Sequence, residues 1–379
     1  MNGSPGNSQP SHLLVAGASG VIGSAAVEHF ASLPGWRVTA LSRRKPAVAA
    51  GARFDHLALD LGDRAACADA VSRLPAVTHL VYAAVAEAPG LASGWRDDEL
   101  IRLNGEMFAN LLAPLAQSGN LRHASILQGT KAYGAHVHAV EVPLRESQPR
   151  DDHSNFYWLH EDTLREVAGK AGFTFTIFRP QVLLGSAPGA AMNPVAPIGA
   201  YAAICREREL PFAMPGDSEA LWEMVDAGLM AEALAWAAMS PQAAGEIFNI
   251  TNGDLFVLRH AWPALAEALD LPTDGDAPDD LAGFFALPEN QSAWARIAER
   301  HQLAEPSLDA LLGQSHHYLD LLIGPRIATR SNPALLSTIK IRRAGFSACR
   351  DSLDSLIHKL GRMVQLRLLP PMGRFDTGS

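Results

Sequence analysis

Cysteine is scarce: Cys67, Cys205 and Cys349 stand far apart in 379 residues, and no C-x-x-C pair occurs. Such an odd, scattered set excludes a disulfide framework and a thiolate zinc site, and it makes a reducing, cytoplasmic location the expectation. A basic run is also missing. With a formal charge of −9 and a pI near 5.9, the chain offers no positive face for phosphate backbones, so nucleic acid is excluded as a partner. Long apolar runs are absent too. Val195 to Cys205 falls well short of the roughly 20 residues that cross a bilayer, and no membrane partner is expected. Residues 1–11 lack the basic start and apolar stretch of a secretion signal and read as a disordered tail. His136, His138, His153 and His160 crowd together, but without a spacing that would converge three ligands with a carboxylate or thiolate, so no metal is expected.

What is present is the make-up of a globular protein, 48% hydrophobic and 19% charged. Short apolar runs at His12–Ala16, Arg37–Leu41, Phe54–Leu59, His79–Ala84, His123–Leu127 and Phe173–Phe178 alternate with helical patterns at Val21–Ser32, Arg64–Arg73, Glu106–Ser118 and Phe156–Lys170. This is the rhythm of a parallel sheet with crossover helices, and the unbroken apolar strands fit burial on both faces. After Pro180 the alternation is lost. A helix is read from about Ile198 to Arg208, a strand at Ile247–Thr251 that could rejoin the sheet, and a helix-rich stretch beyond Trp262.

The first strand runs straight into Gly17-Ala18-Ser19-Gly20-Val21-Ile22-Gly23 and then a helix. Glycines there permit a tight turn and close approach of a pyrophosphate, while the helix N-terminus supplies N–H groups and a positive dipole. A nicotinamide dinucleotide is the expected ligand, with contacts from Gly17, Ser19, Gly20, Val21, Ile22 and Gly23. The second strand ends in Leu41-Ser42-Arg43-Arg44-Lys45, where a carboxylate would select a free ribose and a cation a 2′-phosphate. Ser42, Arg43 and Arg44 therefore point to NADPH. Asp60 either meets the adenine amino group, with Leu61 beside it, or caps a helix ahead of Asp63. The small Ala83 and Ala84, followed by Val85, would let the cofactor lie close to the fourth strand. The fold class is α/β: a Rossmann-type doubly wound sheet over 12–185, followed over 186–379 by a smaller, mainly helical substrate-binding or cap region.

The tyrosine-x-x-x-lysine pair usual in short-chain dehydrogenases is missing, because Tyr157 is followed four residues later by Glu161. The available lysine lies instead in Leu127-Gln128-Gly129-Thr130-Lys131-Ala132-Tyr133-Gly134. These residues, with Asn155-Phe156-Tyr157-Trp158-Leu159-His160-Glu161-Asp162, the helix start at Asn104-Gly105-Glu106-Met107-Phe108-Ala109-Asn110, and the Arg179-Pro180 to Tyr201 region containing Ala191-Met192-Asn193-Pro194, resemble the progesterone 5β-reductase and iridoid synthase-like family of plants and bacteria. Ser337-Thr338-Ile339-Lys340 and Ala344-Gly345-Phe346 extend the likeness almost to the C-terminus. A bacterial-type member is expected; plant relatives tend to have tyrosine at Trp158, so their substrate preference does not carry over.

The resemblance implies NADPH-dependent reduction of an activated C=C bond in a small hydrophobic enone or enal. Tyr157 would hold the carbonyl oxygen and Lys131 would add positive charge, both stabilising an enolate. It also implies nicotinamide-side contacts from Gln128, Pro180 and Val182, with backbone atoms of Gln181 and Val182 on the carboxamide. Tyr133, Trp158, Met192, Tyr201 and Met214 are candidate substrate-pocket residues, with Phe212 beside them on an apolar wall. Two alternatives stay open: a carbonyl or sugar-nucleotide enzyme on the same fold, and a non-catalytic NADPH sensor. A homodimer is a further open expectation.

Overall fold

The structure, a computed structural model, describes residues 10–88, 94–324 and 334–375; most of the expected N-terminal tail lies outside them. Seven parallel strands form one sheet in the order β3-β2-β1-β4-β5-β6-β9. They are β1 Ser11–Ala16, β2 Trp36–Leu41, β3 Asp55–Leu57, β4 His79–Tyr82, β5 His123–Leu127, β6 Thr174–Pro180 and β9 Glu246–Ile250. Strand order reverses between β1 and β4, whose registers pair Val15 with Val81. In a doubly wound sheet the ligand crevice opens there, beyond the carboxyl ends of the strands.

Helices cover both faces. On one side α1 (Val21–Ser32) and α6 (Ala227–Met239) bury Val27, Phe30, Leu229 and Leu234 against β1 and Phe248. On the other, α2 (Arg64–Arg73), α3 (Asp98–Gln117) and α4 (Phe156–Ala171) bury Cys67, Phe108, Leu111 and Leu164 against Leu14 and Leu80. The expected strand near residue 247 does pair with β6, so the sheet layers draw on chain well beyond residue 186. The remaining chain builds a helical core of its own around α5 (Val195–Glu207), α7 (Leu258–Leu269), α9 (Pro288–His301), α11 (Ser315–Ile323) and the C-terminal helix Ser352–Gln365. Among the described residues no helix is long and apolar enough to cross a membrane.

Two sequence expectations need correction. The helix read from Glu106 begins at Asp98, where the Asp97 carboxylate accepts the Leu100 amide at 3.0 Å. Gly105, which suggests a helix start, lies within α3 because a Cβ there would come within 2.8 Å of Leu159 on α4: it is a close-packing glycine. The sequence reading also lacks a two-stranded parallel ribbon, β7 (Val182–Leu184) with β8 (Met224–Asp226), each strand being only three residues long.

The amino ends of three neighbouring strands carry buried histidines, His12, His79 and His123. Burial holds His79 down at about 4 and His123 at about 3. The unfolded chain therefore binds more protons below pH 6.5, and stability declines as pH falls from there toward 4, by up to ~1.4 kcal/mol per unit for each such group. Thermal unfolding followed across that window should show a steady fall, with His123→Asn reducing the slope; an unchanged slope would mean that His123 charges without cost.

Candidate active site

The turn after β1 is set by crowding. Gly17 adopts φ +79°, its amide donates to Leu41 O at 3.0 Å, and a Cβ on it would lie 2.6 Å from the Ala83–Ala84 backbone. A Cβ on Gly23 would lie 2.1 Å from Gly17 O. Gly20 differs. Its backbone is extended, and the nearest atom to a Cβ is Gly17 O at 3.4 Å, so nothing within the protein requires glycine there. No side chain caps the α1 N-terminus. Bare helix amides beneath an unfilled glycine cradle fit a dinucleotide pyrophosphate. Val21 and Ile22 are largely buried beneath the turn, and Ser19 is half-buried on it.

Ser42 is buried, and its hydroxyl donates to Arg44 O at 2.6 Å, fixing the bend after β2. Arg43 and Arg44 are exposed and form no ion pair among the described residues, leaving two cations free at the end of that strand. Asp60 is exposed and accepts the Gly62 amide at 2.9 Å, whereas the α2 cap is Asp63, which accepts the Ala66 amide. The capping alternative for Asp60 is thereby corrected to a turn. Leu61 is buried, and its carbonyl accepts from Asn110 at 3.0 Å. Ala83 is half-buried, Ala84 buried and Val85 exposed at the β4 end.

The next crevice is a small cavity of about 50 Å³ lined by Glu87, Trp95, Asn104, Lys131, Tyr157 and Met192, with Val85, Leu100 and Phe156 among its apolar walls. Lys131 stands on the turn after β5; its Nζ lies 3.6 Å from Met192 Sδ and 3.5 Å from the centre of the Trp95 ring. Burial lowers it to about 7, with the Glu87 charge opposing. Tyr157 enters on α4, where Asn155 Oδ1 accepts its amide at 3.0 Å. No described residue hydrogen-bonds its hydroxyl. Gly129 lets that hydroxyl approach the loop, since a Cβ there would sit 3.3 Å from it and 3.4 Å from Pro180 O. Burial raises the phenol, as does the Glu87 charge, while Arg179 opposes them; the hydroxyl remains a protonated donor.

Below the cavity lies a fully engaged polar network. Gln128 donates to Glu161 Oε2 at 3.2 Å and to Tyr157 O at 3.4 Å, and accepts from Arg179 Nε at 2.8 Å. Tyr133 packs its ring under Arg179 and donates to Asn249 Oδ1 at 2.7 Å.

Lys131, Tyr157 and Met192 thus come together, while other expected contacts do not. Gln128 and Tyr133 are struts of the layer below. The Val182 amide donates to Glu223 O at 3.2 Å, which removes it as a carboxamide donor. Tyr201 is 1% exposed, donates to Ala213 O and packs on Phe212 and Phe284, so it is core rather than pocket wall. Phe212 stacks on Trp262, and Met214 packs against the same core. Trp158 donates to His153 O at 3.1 Å and faces Arg150. Among the crowded histidines, Asp151 bridges His138 and His153 at 2.6 and 2.7 Å; no group of three or more His, Cys, Asp or Glu that could hold a metal ion is found among the described residues.

Two residues of the site, Glu87 and Trp95, are missing from the sequence reading, and Asn104 is read there only as part of a helix start. Glu87 lies in irregular chain after β4 and Trp95 on the single 3-10 turn Gly94–Arg96 before α3. Asn104, 1% exposed inside α3, accepts the Ala86 amide at 2.8 Å and donates to Ala86 O at 3.0 Å. A buried asparagine on an otherwise apolar helix face is the one signal that could have found it.

The sheet order, the glycine turn and the crevice beyond it define a dinucleotide-binding protein. The chain belongs to the NAD dependent epimerase/dehydratase family, which its residues 13–251 match, and within it to the progesterone 5β-reductase and iridoid synthase-like group. It is 28% identical over 375 residues to the (S)-8-oxocitronellyl enol synthase of Antirrhinum majus, covering 94% of this chain and 92% of that one. Identity to the 3-oxo-Delta(4,5)-steroid 5-beta-reductase of Arabidopsis thaliana is 29% over 383 residues, covering 97% and 95%. A third relative, an (S)-8-oxocitronellyl enol synthase of Nepeta racemosa, is 30% identical over 314 residues, 78% of each chain. Among solved structures, the UDP-glucose 4-epimerase of Bifidobacterium longum, in complex with NAD+ and UDP, aligns with TM-score 0.64 at 14% identity, covering 94% of this chain and 98% of that one. That likeness concerns the fold alone.

Gly20→Ala should leave the thermal midpoint near that of the parent and abolish dinucleotide binding, whereas Gly23→Ala should lower the midpoint itself. Calorimetry with binding titration separates the two, and tight binding by Gly20→Ala would contradict the cradle.

Proposed function

We propose that the chain is a bacterial-type, NADPH-dependent reductase of activated C=C bonds that takes a small hydrophobic enone or enal. The observation that carries this reading is the Tyr157 hydroxyl, unpartnered in the same cavity as the Lys131 ammonium. Full-length relatives named as enol synthases and a steroid 5-beta-reductase support it. NADPH, when bound, supplies the hydride. Gly17 to Gly23 would hold its pyrophosphate and Arg43 with Arg44 its 2′-phosphate, in line with two cations that have no carboxylate partner.

The protein's own part is electrostatic. As the β-carbon becomes saturated, charge moves onto the carbonyl oxygen. Tyr157 donates its hydroxyl hydrogen to that oxygen, and Lys131 adds positive charge beside the apolar walls of Leu100, Phe156 and Met192. The cavity, of about 50 Å³, is too small for an enone as it stands, so a substrate needs its lining side chains to move. Glu161, four residues after Tyr157, stands where an epimerase-like site would need lysine. That speaks for enolate stabilisation rather than alcohol chemistry. Three free cysteines, two of them buried, suit a reducing, cytoplasmic setting.

Tyr157→Phe and Lys131→Ala should each lower kcat on an enone by about 10²-fold or more while NADPH binding persists; steady-state kinetics with a fluorescence titration of NADPH tests both. Full activity in the two variants would remove the assignment. An alcohol product from the parent protein would indicate a carbonyl reductase, and tight NADPH binding with no turnover on any enone or enal a sensor.

A further inference from the structure

Reduction of an enone leaves a second task, protonation of the α-carbon, and neither Tyr157 nor Lys131 is placed for it. Both serve the oxygen, whereas the α-carbon receives a proton on the face of the enolate π system. Among the described residues lining the cavity, Glu87 is the sole carboxyl, and its titratable companions there are Lys131 and Tyr157 themselves. Glu87 approaches from the loop after β4, a wall separate from α4, which carries Tyr157, and from the turn after β5, which carries Lys131.

Its placement is built rather than incidental. Asn104, buried in α3, grips both backbone groups of Ala86 and also donates to Leu100 O at 2.9 Å. The Asn104 carbonyl in turn meets His160 Nε2 at 2.9 Å, which links the clamp to α4. The residue next to a two-point clamp has little freedom to wander. Among the described residues, Glu87 forms no hydrogen bond or ion pair. It keeps access to solvent at the cavity mouth.

We propose that Glu87 is the acid that protonates the α-carbon of the substrate, an inference that rests on the enone-reductase reading above. Hydride adds to the β-carbon and the C=C electron pair shifts toward the carbonyl, giving the enolate. The enolate C=C pair then takes the proton from Glu87: a C–H bond forms at the α-carbon, the carboxyl O–H bond breaks, and its electron pair stays on the carboxylate. Water at the cavity mouth returns the proton. Desolvation moves Glu87 upward from the ordinary carboxylate range, with the Lys131 charge opposing.

The same step run backward gives a test that needs no hydride. In D2O without NADPH, the protein should exchange the α-hydrogen of the saturated ketone or aldehyde, and Glu87→Gln should slow that exchange by about 10²-fold, with Glu87→Asp restoring part of it. In turnover of an α-methyl enal in D2O, the parent should place deuterium on one face of the α-carbon, while Glu87→Gln should yield both faces because solvent then delivers the proton. NADPH binding and the thermal midpoint of each variant show that it is folded. Equal exchange and equal facial selectivity in parent and Glu87→Gln would overturn the proposal, as would a parent with no α-facial selectivity. If the parent reduces no enone or enal, the functional reading fails, and this proposal with it; if it does, the Glu87 result stands alone.

Discussion

A buried carboxylate holds the catalytic face together. Glu161, one helical turn after Tyr157 and 4% exposed, receives Gln128 at 3.2 Å, Arg165 at 2.9 Å and Arg150 at 3.2 Å, with Arg179 at 4.0 Å. Burial pushes this carboxyl upward, but hydrogen bonds from Arg165 and Gln128 and the charge of Arg150 more than offset it, and the group stays ionised. Gln128 passes the constraint on to the β5 end, and Arg179 passes it to β6 and to Tyr133. The separation of Tyr157 and Lys131 is therefore fixed from below. A lysine at position 161 would meet three arginines, which explains physically why the usual tyrosine-lysine pair is replaced by a lysine from the β5 turn.

Above this layer, the cavity balances three titratable groups. Burial alone would discharge Lys131, and the nearby Glu87 resists that, leaving it at about 7. The same negative charge and the same burial keep Tyr157 a neutral phenol. A neutral donor beside a partly charged ammonium is suited to a charge that arises only during reaction, since among the described residues the Tyr157 hydroxyl has no hydrogen-bond partner and Lys131 is held only by Met192 Sδ and the Trp95 ring. Trp95 shields the ammonium in the meantime.

Strong local rules were legible in the sequence. The glycine turn, the buried parallel strands and the bounds of α1 and α2 follow from short-range sterics and periodicity, whereas Tyr157 and Lys131 were legible only through the family resemblance of their motifs. What escaped depends on contacts between distant segments. Asn104-Gly105 reads as a helix start until the Asn104 clamp on Ala86 and the packing of Leu159 against Gly105 are seen. Glu87 and Trp95 lie in chain with no period to read. Tyr201, Phe212 and Met214 show the opposite failure: apolar and aromatic residues near a site suggest a pocket, yet the helical region needs them for its own core. Val182 is lost as a backbone donor because a three-residue strand is too short to announce its partner.

The most direct test of the account is the fate of a labelled hydride. With NADPH carrying deuterium at the transferable C4 position and a simple enone as substrate, proton and deuterium NMR of the product should place the label on the β-carbon of a saturated ketone. Deuterium on the carbinol carbon of an allylic alcohol would contradict it, and would make Tyr157 and Lys131 partners of a carbonyl reduction instead.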